Sequence, residues 1–300
     1  MINITGDKDI ILNLGQNYID NGATAIDNID GNITKNIKII NRVNTKVAGK
    51  YKITYKVTDS SFNTTSVERN IIVSGEPSNS EGVPILMYHF FYDESKGKDN
   101  HDGNFTEINN FRQQMKYLKD NNFYFPTWNE LNDYIDGKNN LPNKSVIVTA
   151  DDGNSTFFDL AYPILKENNI KATSFLVTSW SGNPDKYNVD RSLISFQSHS
   201  ENMHRGGCKG GHGGIFLCIK DEDGLKDLSD SITTTGSNEV FCYPFGDYDN
   251  HDENLISKAG FKMAVTTKYG KAKPGINKFT MPRIRVSGGE SLESFIDSIN

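Results

Sequence analysis

Ser145-Val146-Ile147-Val148-Thr149-Ala150-Asp151-Asp152-Gly153 is an apolar, β-branched run that stops abruptly at two adjacent carboxylates and a glycine. The run reads as a buried parallel strand. The Asp-Asp-Gly reads as the point where that strand leaves the core and opens into a loop. Two carboxylates at the end of a buried strand are costly unless a metal ion or a cationic side chain pairs with them. An ordinary helix N-cap needs only one such residue.

Working outward, Pro84-Ile85-Leu86-Met87-Tyr88-His89 reads as another buried strand, ending in a histidine. Phe111, Met115 and Leu118 are helix-spaced, as are Trp128, Leu131 and Ile135. Beyond Asp152, Phe158, Ala161, Ile164 and Leu165 form a helical face. Lys171 to Val177 is the next strand, and Ser192 to Phe196 is strand-like. Strands alternating with helices imply an α/β fold with a parallel sheet or barrel. In such folds the chemistry sits at the C-terminal ends of the strands, where His89, Asp151 and Asp152 fall.

Residues 1–74 differ in character. Tyr51-Lys52-Ile53-Thr54-Tyr55-Lys56-Val57 alternates with period two, Ile37 to Ile40 and Ile71 to Val73 are further short strands, and Asp30-Gly31 and Ala48-Gly49 are turn signals. With no helical period, the segment predicts a small all-β sandwich. Residues 75–83, with Gly75, Pro77, Ser78, Ser80 and Gly82, read as a linker. That leaves 84–300 as the second domain. The N-terminal segment resembles bacterial immunoglobulin-like surface repeats. The resemblance rests on Asn21 to Asp27, Asp30 to Thr34, Gly49-Lys50-Tyr51, and Val57-Thr58-Asp59 with Asn63. It implies a spacer or adhesive module. Asp27, Asp30 and Asp59 are expected to form turns rather than to bind calcium.

The chain has 300 residues and a formal net charge of −6, without a basic block, which excludes a nucleic-acid partner. No apolar run is long enough to span a bilayer. Met1 directly precedes Ile2-Asn3-Ile4-Thr5, with neither a basic nor an apolar leader region, so an export signal or anchor is expected to be missing from this sequence. Cys208 and Cys218 bracket a glycine-rich loop. They form a disulfide in an exported protein or stay free thiols, and Cys242 leaves the count odd.

Two further motifs carry chemistry. In Ser198-His199-Ser200-Glu201-Asn202-Met203-His204, two histidines follow a strand. With Asp152 they make a two-His, one-carboxylate set, which leaves open positions on a metal as a catalytic site requires. In Phe241-Cys242-Tyr243-Pro244-Phe245-Gly246, a proline turn after a strand can aim a backbone N–H into the pocket. Gly206 to Gly214 lacks the Gly-Lys-Ser/Thr ending of a phosphate loop and reads as a mobile flap at the mouth of the groove.

Together these motifs resemble the polysaccharide deacetylases of carbohydrate esterase family 4, the NodB-homology domain. The resemblance runs from about Pro84 to the end of the chain. It is closest to the exported branch that includes poly-N-acetylglucosamine deacetylases, which shares the Leu-Met-Tyr-His strand and the five-residue step from His199 to His204. Ala150 departs from the usual phenylalanine. The resemblance implies a distorted (β/α) barrel, in which Asp152, His199 and His204 hold one divalent metal, zinc first. Asp151 would be the general base, the Phe245 backbone N–H an oxyanion donor, and Tyr243 and Trp180 substrate contacts. Two family features are missing: the late histidine that acts as acid, and the arginine before the third-motif proline. Arg283, or else Arg285, is expected to reach Asp151 in place of that arginine. His89 is expected to serve as acid or substrate contact, with His212 the weaker choice. His101 and His251 read as solvated.

The expected function is therefore hydrolysis of N-acetyl groups on N-acetylglucosamine residues of peptidoglycan or poly-N-acetylglucosamine. The enzyme would act as a monomer outside the cell or at its surface, with possible attachment through the N-terminal region. Two alternatives stand beside it: a catalytically impaired carbohydrate-binding surface protein on the same fold, and a phosphoesterase using the same ligands.

Overall fold

The computed structural model describes residues 1–75, 79, 81–97 and 102–300. Glu76, Pro77, Ser78 and Ser80 of the expected linker lie outside the described residues, as does His101. The chain divides into two compact units, Met1–Ser78 with Gly137–Pro142 and Asn79–Asp136 with Asn143–Asn300. The grouping of Gly137–Pro142 with the first unit has no counterpart in the sequence pattern.

The first unit is all-β. One sheet orders Asp9–Asn13, Thr64–Ser74, Gly49–Thr58 and Lys38–Asn41, and the other pairs Ile2–Ile4, Ala23–Asp27 and Gly31–Asn32. Period-two alternation buries Ile53, Tyr55 and Val57 on one strand and Ile71 and Val73 on its neighbour, as a half-buried antiparallel strand requires. Ile39 and Ile40, on the edge strand, are about half exposed. Arg69 is buried and bonds Asp20 and the Tyr18 hydroxyl. The loop carboxylates form turns: Asp27 accepts from the Ile29 and Asp30 N–H groups, and Asp59 from Asn63 N–H.

The second unit is a closed barrel of seven parallel strands: β1 (Val83–Tyr88), β2 (Ile147–Ala150), β3 (Ala172–Leu176), β4 (Ile194–Ser198), β5 (Val240–Cys242), β6 (Met263–Tyr269) and β7 (Met281–Arg285). They pair in sequence order, and β1 closes the ring against both β2 and β7. This is the distorted (β/α) barrel that the resemblance implies. Every residue of β1, β2 and β3 is buried, because helices cover the outside of the ring while side chains fill the inside. Helix Ile108–Asp120 presents Phe111, Met115 and Leu118 to the core. Helix Trp128–Ile135 starts at a reciprocal Thr127–Glu130 capping box.

Register brings the site together. Ala150 lies opposite Tyr88, and Leu176 opposite Ser198. The Asp151 N–H then donates to the Tyr88 carbonyl, and the His199 N–H to that of Leu176. His89, Asp151 and His199 thus leave the barrel at one end.

Candidate active site

Asp151 stands at the end of β2 and is 3% exposed. Arg283 rises from β7 into the ring and grips it with two hydrogen bonds, Nη1 to Oδ1 and Nη2 to Oδ2, both 2.7 Å. Arg285 instead bonds Asn104. The Arg283 guanidinium, 1% exposed, has partners for its other donors: Nε bonds the Thr266 carbonyl at 2.9 Å, Nη1 reaches Thr149 Oγ1 at 3.3 Å, and Nη2 reaches Cys242 Sγ at 3.3 Å. A planar fork matched to a carboxylate is the strongest arrangement available to such a pair. Burial alone would raise the Asp151 carboxyl, but the guanidinium overcomes it and holds the group well below the usual carboxylate range.

Asp152 points elsewhere. Its Oδ1 is buried without a hydrogen-bond partner and lies 3.5 Å from His199 Nε2 and 3.4 Å from His204 Nε2. The His199 Nδ1 bonds the Cys242 carbonyl at 2.7 Å. A carbonyl only accepts, so Nδ1 carries the proton and Nε2 turns its lone pair toward Asp152. Acceptor faces acceptor unless a positive charge, a proton on Nε2 or a metal ion, sits between them. The charges agree. Burial opposes a charged His199, yet Cys242 and Asp152 raise it well above its ordinary value. Burial and His199 push His204 down to about 4. The surroundings thus favour one positive charge among three ligand atoms that lie within 4.8 Å of one another. Asp152, His199 and His204 therefore fit a divalent metal with open positions.

Three non-glycine residues here adopt left-handed backbone: Asp152 (φ 71°), Ser200 (φ 77°) and Phe245 (φ 60°). Such conformations persist where the surroundings over-determine them, and they gather at functional sites. The Phe245 ring packs on His204 at 4.2 Å, and the Trp180 ring, 57% exposed, meets the other edge of His204 at 5.2 Å. His89 Nε2 lies 3.9 Å from Asp151 Oδ2. Burial lowers its pKa against the pull of Asp151 and Asp152, so a charged His89 would give up its proton readily.

Several expectations need correction. Tyr243 is 1% exposed, and its ring stacks on Tyr248 and meets Phe241 edge to face within a core cluster. A ring so enclosed cannot line a substrate groove. The glycine-rich loop is not a loose flap. Cys208 and Cys218 are joined in a disulfide, and Asp247 accepts from the His212 and Gly214 N–H groups. His212 pairs with Asp247 at 3.0 Å. His251, read as solvated, is exposed, and it pairs with Asp221 at 2.7 Å from helix Asn250–Lys258. Sequence reasoning missed Cys242, whose carbonyl and thiol touch both halves of the site. It also missed Thr149 and Thr266, which steady the guanidinium.

Residues 2–73 match the family "Bacterial surface protein, Ig-like domain", and residues 138–213 match the family "Polysaccharide deacetylase". The poly-beta-1,6-N-acetyl-D-glucosamine N-deacetylase of Staphylococcus aureus (strain MRSA252) is 27% identical over 215 residues, covering 66% of this chain and 72% of that protein. Its namesake from Staphylococcus epidermidis is 27% identical over 203 residues, 62% of this chain and 69% of that one. Among solved structures, a Streptococcus pyogenes deacetylase in complex with acetate is similar with a TM-score of 0.61 at 24% identity, covering 73% of this chain and 98% of that one. A polysaccharide deacetylase from Bacillus cereus has a TM-score of 0.58 at 23% identity, covering 84% and 78%. The structural likenesses speak for the fold. The chain thus carries a match to the bacterial surface Ig-like family near its start and one to the polysaccharide deacetylase family in its barrel, and the relatives it resembles are deacetylases.

Proposed function

We propose that the barrel hydrolyses the N-acetyl group of N-acetylglucosamine residues in a cell-envelope or extracellular polysaccharide, releasing acetate. The observation that carries this reading is the division of labour between adjacent carboxylates. Asp152 leaves an orphaned oxygen between two imidazoles, while Asp151 is held apart by Arg283. Asp152, His199 and His204 would hold one divalent metal, zinc first. Such an ion supplies Lewis acidity at an acyl oxygen and acidifies water.

The chain's own groups do the rest. Asp151 stays ionised at neutral pH and accepts the proton of the attacking water. Arg283 keeps its carboxylate aimed. The Phe245 N–H is the donor for the oxyanion that forms at the acyl carbon. His89, at the end of β1 and 3.9 Å from Asp151 Oδ2, would take the proton that Asp151 accepted from the water and pass it to the departing amine. Because a histidine does face Asp151, the missing late histidine no longer favours an impaired enzyme. Trp180 offers a ring face beside His204 for a sugar. The protein would work as a monomer at the cell surface or outside the cell, as the Ig-like domain and the relatives suggest.

The test is acetate release from purified peptidoglycan and from poly-N-acetylglucosamine, side by side, with wild type and Asp151→Asn. Wild type should release acetate from at least one. Asp151→Asn should lose about 10²–10⁴-fold in kcat, the usual worth of a general base, while still binding metal. An Asp151→Asn enzyme as fast as wild type would remove the base assignment.

A further inference from the structure

The turn that carries His199 and His204 leaves β4 in a strained shape, with Ser200 left-handed at φ 77°. Its amides are satisfied by side chains rather than by a regular ladder. Within the turn, Ser200 Oγ accepts from the Met203 N–H at 3.0 Å. The next two donors are held from outside: Asp227 accepts from the Glu201 N–H at 2.7 Å and from the Asn202 N–H at 2.8 Å, one to each carboxylate oxygen. One turn further along the same helix (Asp221–Thr235), Ser231 Oγ shares a hydrogen bond of 2.7 Å with Ser198 Oγ, which in turn accepts from the Ser200 N–H at 3.1 Å. Asp227 and Ser231 are four residues apart and so share a helix face. That face grips the turn at its entry and at its midpoint.

We infer that Asp227 is a positioning residue for the metal site. Through the Glu201 and Asn202 amides it fixes the spacing between the two imidazoles without touching the metal, the substrate or the reacting atoms. This rests on the proposal that His199 and His204 are ligands. The chemistry asks for a carboxylate. Two N–H donors converge there, and only a group with two free acceptor oxygens satisfies both. An amide would set its own NH₂ against one of them. Partners of this kind, one step behind the ligands, govern metal affinity because they remove the freedom that ligation would otherwise have to freeze.

The experiment measures divalent-zinc affinity of the full chain by competition with a chromogenic chelator, together with thermal unfolding and acetate release at saturating zinc. Asp227→Ala should bind zinc about 10–100-fold more weakly, with kcat at saturating metal within a few-fold of wild type and KM for the glycan unmoved. Asp227→Asn, which keeps one acceptor and the side-chain volume, should fall between. It serves as the measurable variant if the alanine does not fold. Asp223→Asn, exposed near the start of the same helix, should match wild type. Zinc affinity unchanged in Asp227→Asn and Asp227→Ala, whatever the melting temperature does, overturns the inference alone. A wild-type chain that binds no zinc overturns it together with the ligand assignment. Supporting results for Asp227 in a wild-type enzyme that binds zinc but releases no acetate would leave it standing and remove only the deacetylase reading.

Discussion

Replacing Arg283 with methionine keeps most of its volume and deletes its charge. In the wild-type fold the guanidinium makes both hydrogen bonds of the Asp151 pair, and the two side chains are 1% and 3% exposed. Removing one member of a fully buried pair strands the other, at a cost of about 3–5 kcal/mol. For a domain of this size about 1 kcal/mol moves the melting temperature by about 2–4 °C, so Arg283→Met should melt roughly 6–20 °C lower. The pH dependence should change sign. In wild type the folded Asp151 pKa lies below its unfolded value, so the pair contributes stability above the ordinary carboxylate pKa and loses it as pH falls toward the folded value. In the variant burial is opposed only by the weaker pull of His89 and His199, so the folded pKa rises and the poorly compensated charge is relieved by acid. The stability gap between the two proteins should therefore close as pH drops below about 4. The same change should move the acidic limb of the kcat/KM profile upward. Asp151→Asn/Arg283→Met should melt above the single Arg283 variant, because no buried charge is left alone. Differential scanning calorimetry from pH 3 to pH 8, paired with acetate-release profiles, decides it. The reasoning is falsified if Arg283→Met melts with wild type at pH 7 and keeps the wild-type acidic limb.

Two further outcomes follow from local geometry. Gly153 has φ +66°, and an added Cβ would stand 2.4 Å from Ser181 Oγ and 2.6 Å from Leu176 Cδ2. Gly153→Ala should therefore cost roughly 2–5 kcal/mol from left-handed backbone and overpacking together, and should weaken zinc binding through its neighbour Asp152; a urea midpoint equal to wild type would contradict this. Reducing the Cys208–Cys218 disulfide, which spans 10 residues, should lower stability by roughly 2–3 kcal/mol on the loop-entropy account. It should also increase protease nicking within Gly206–Gly214, and equal nicking in oxidised and reduced protein would show that Asp247 alone fastens the loop.

The carboxylates and the first proposed metal-ligand histidine were legible because each is a charged or ligating side chain at or just past the end of an apolar run, while Arg283 and the Phe245 N–H came only from the resemblance. The Asp151-Asp152 pair and the His199-His204 step announce themselves because burial makes such residues expensive. The parallel barrel was legible for the same reason, in fully apolar strands separated by helix-spaced segments. What stayed hidden rests on partners that the local pattern does not mark. The Cys242 carbonyl orients His199, but any residue could supply a carbonyl there. Asp227 looks like one of many helix-surface acids until its two amide partners are seen. Tyr243 misled because an aromatic beside a proline turn reads as a groove wall, while strand register turns this ring into the core. Ile39 and Ile40 show the converse: both are apolar, yet they lie about half exposed on an edge strand, a placement their β-branched run does not reveal.

The closure of the barrel by its first strand has a consequence for the order of events during folding. Strand β1 must pair with both β2 and β7 to complete the ring, and the Arg283–Asp151 contact spans 132 residues of chain. Contacts of that span form late, since loop-closure entropy is spent before they repay it. Until β7 docks, the base has no counter-ion, and burying it is unfavourable. The same ion pair that would aim the proposed base therefore acts as a latch: a chain whose final strand has not zipped in leaves Asp151 without its counter-ion, so the proposed catalytic arrangement and the finished ring arrive together.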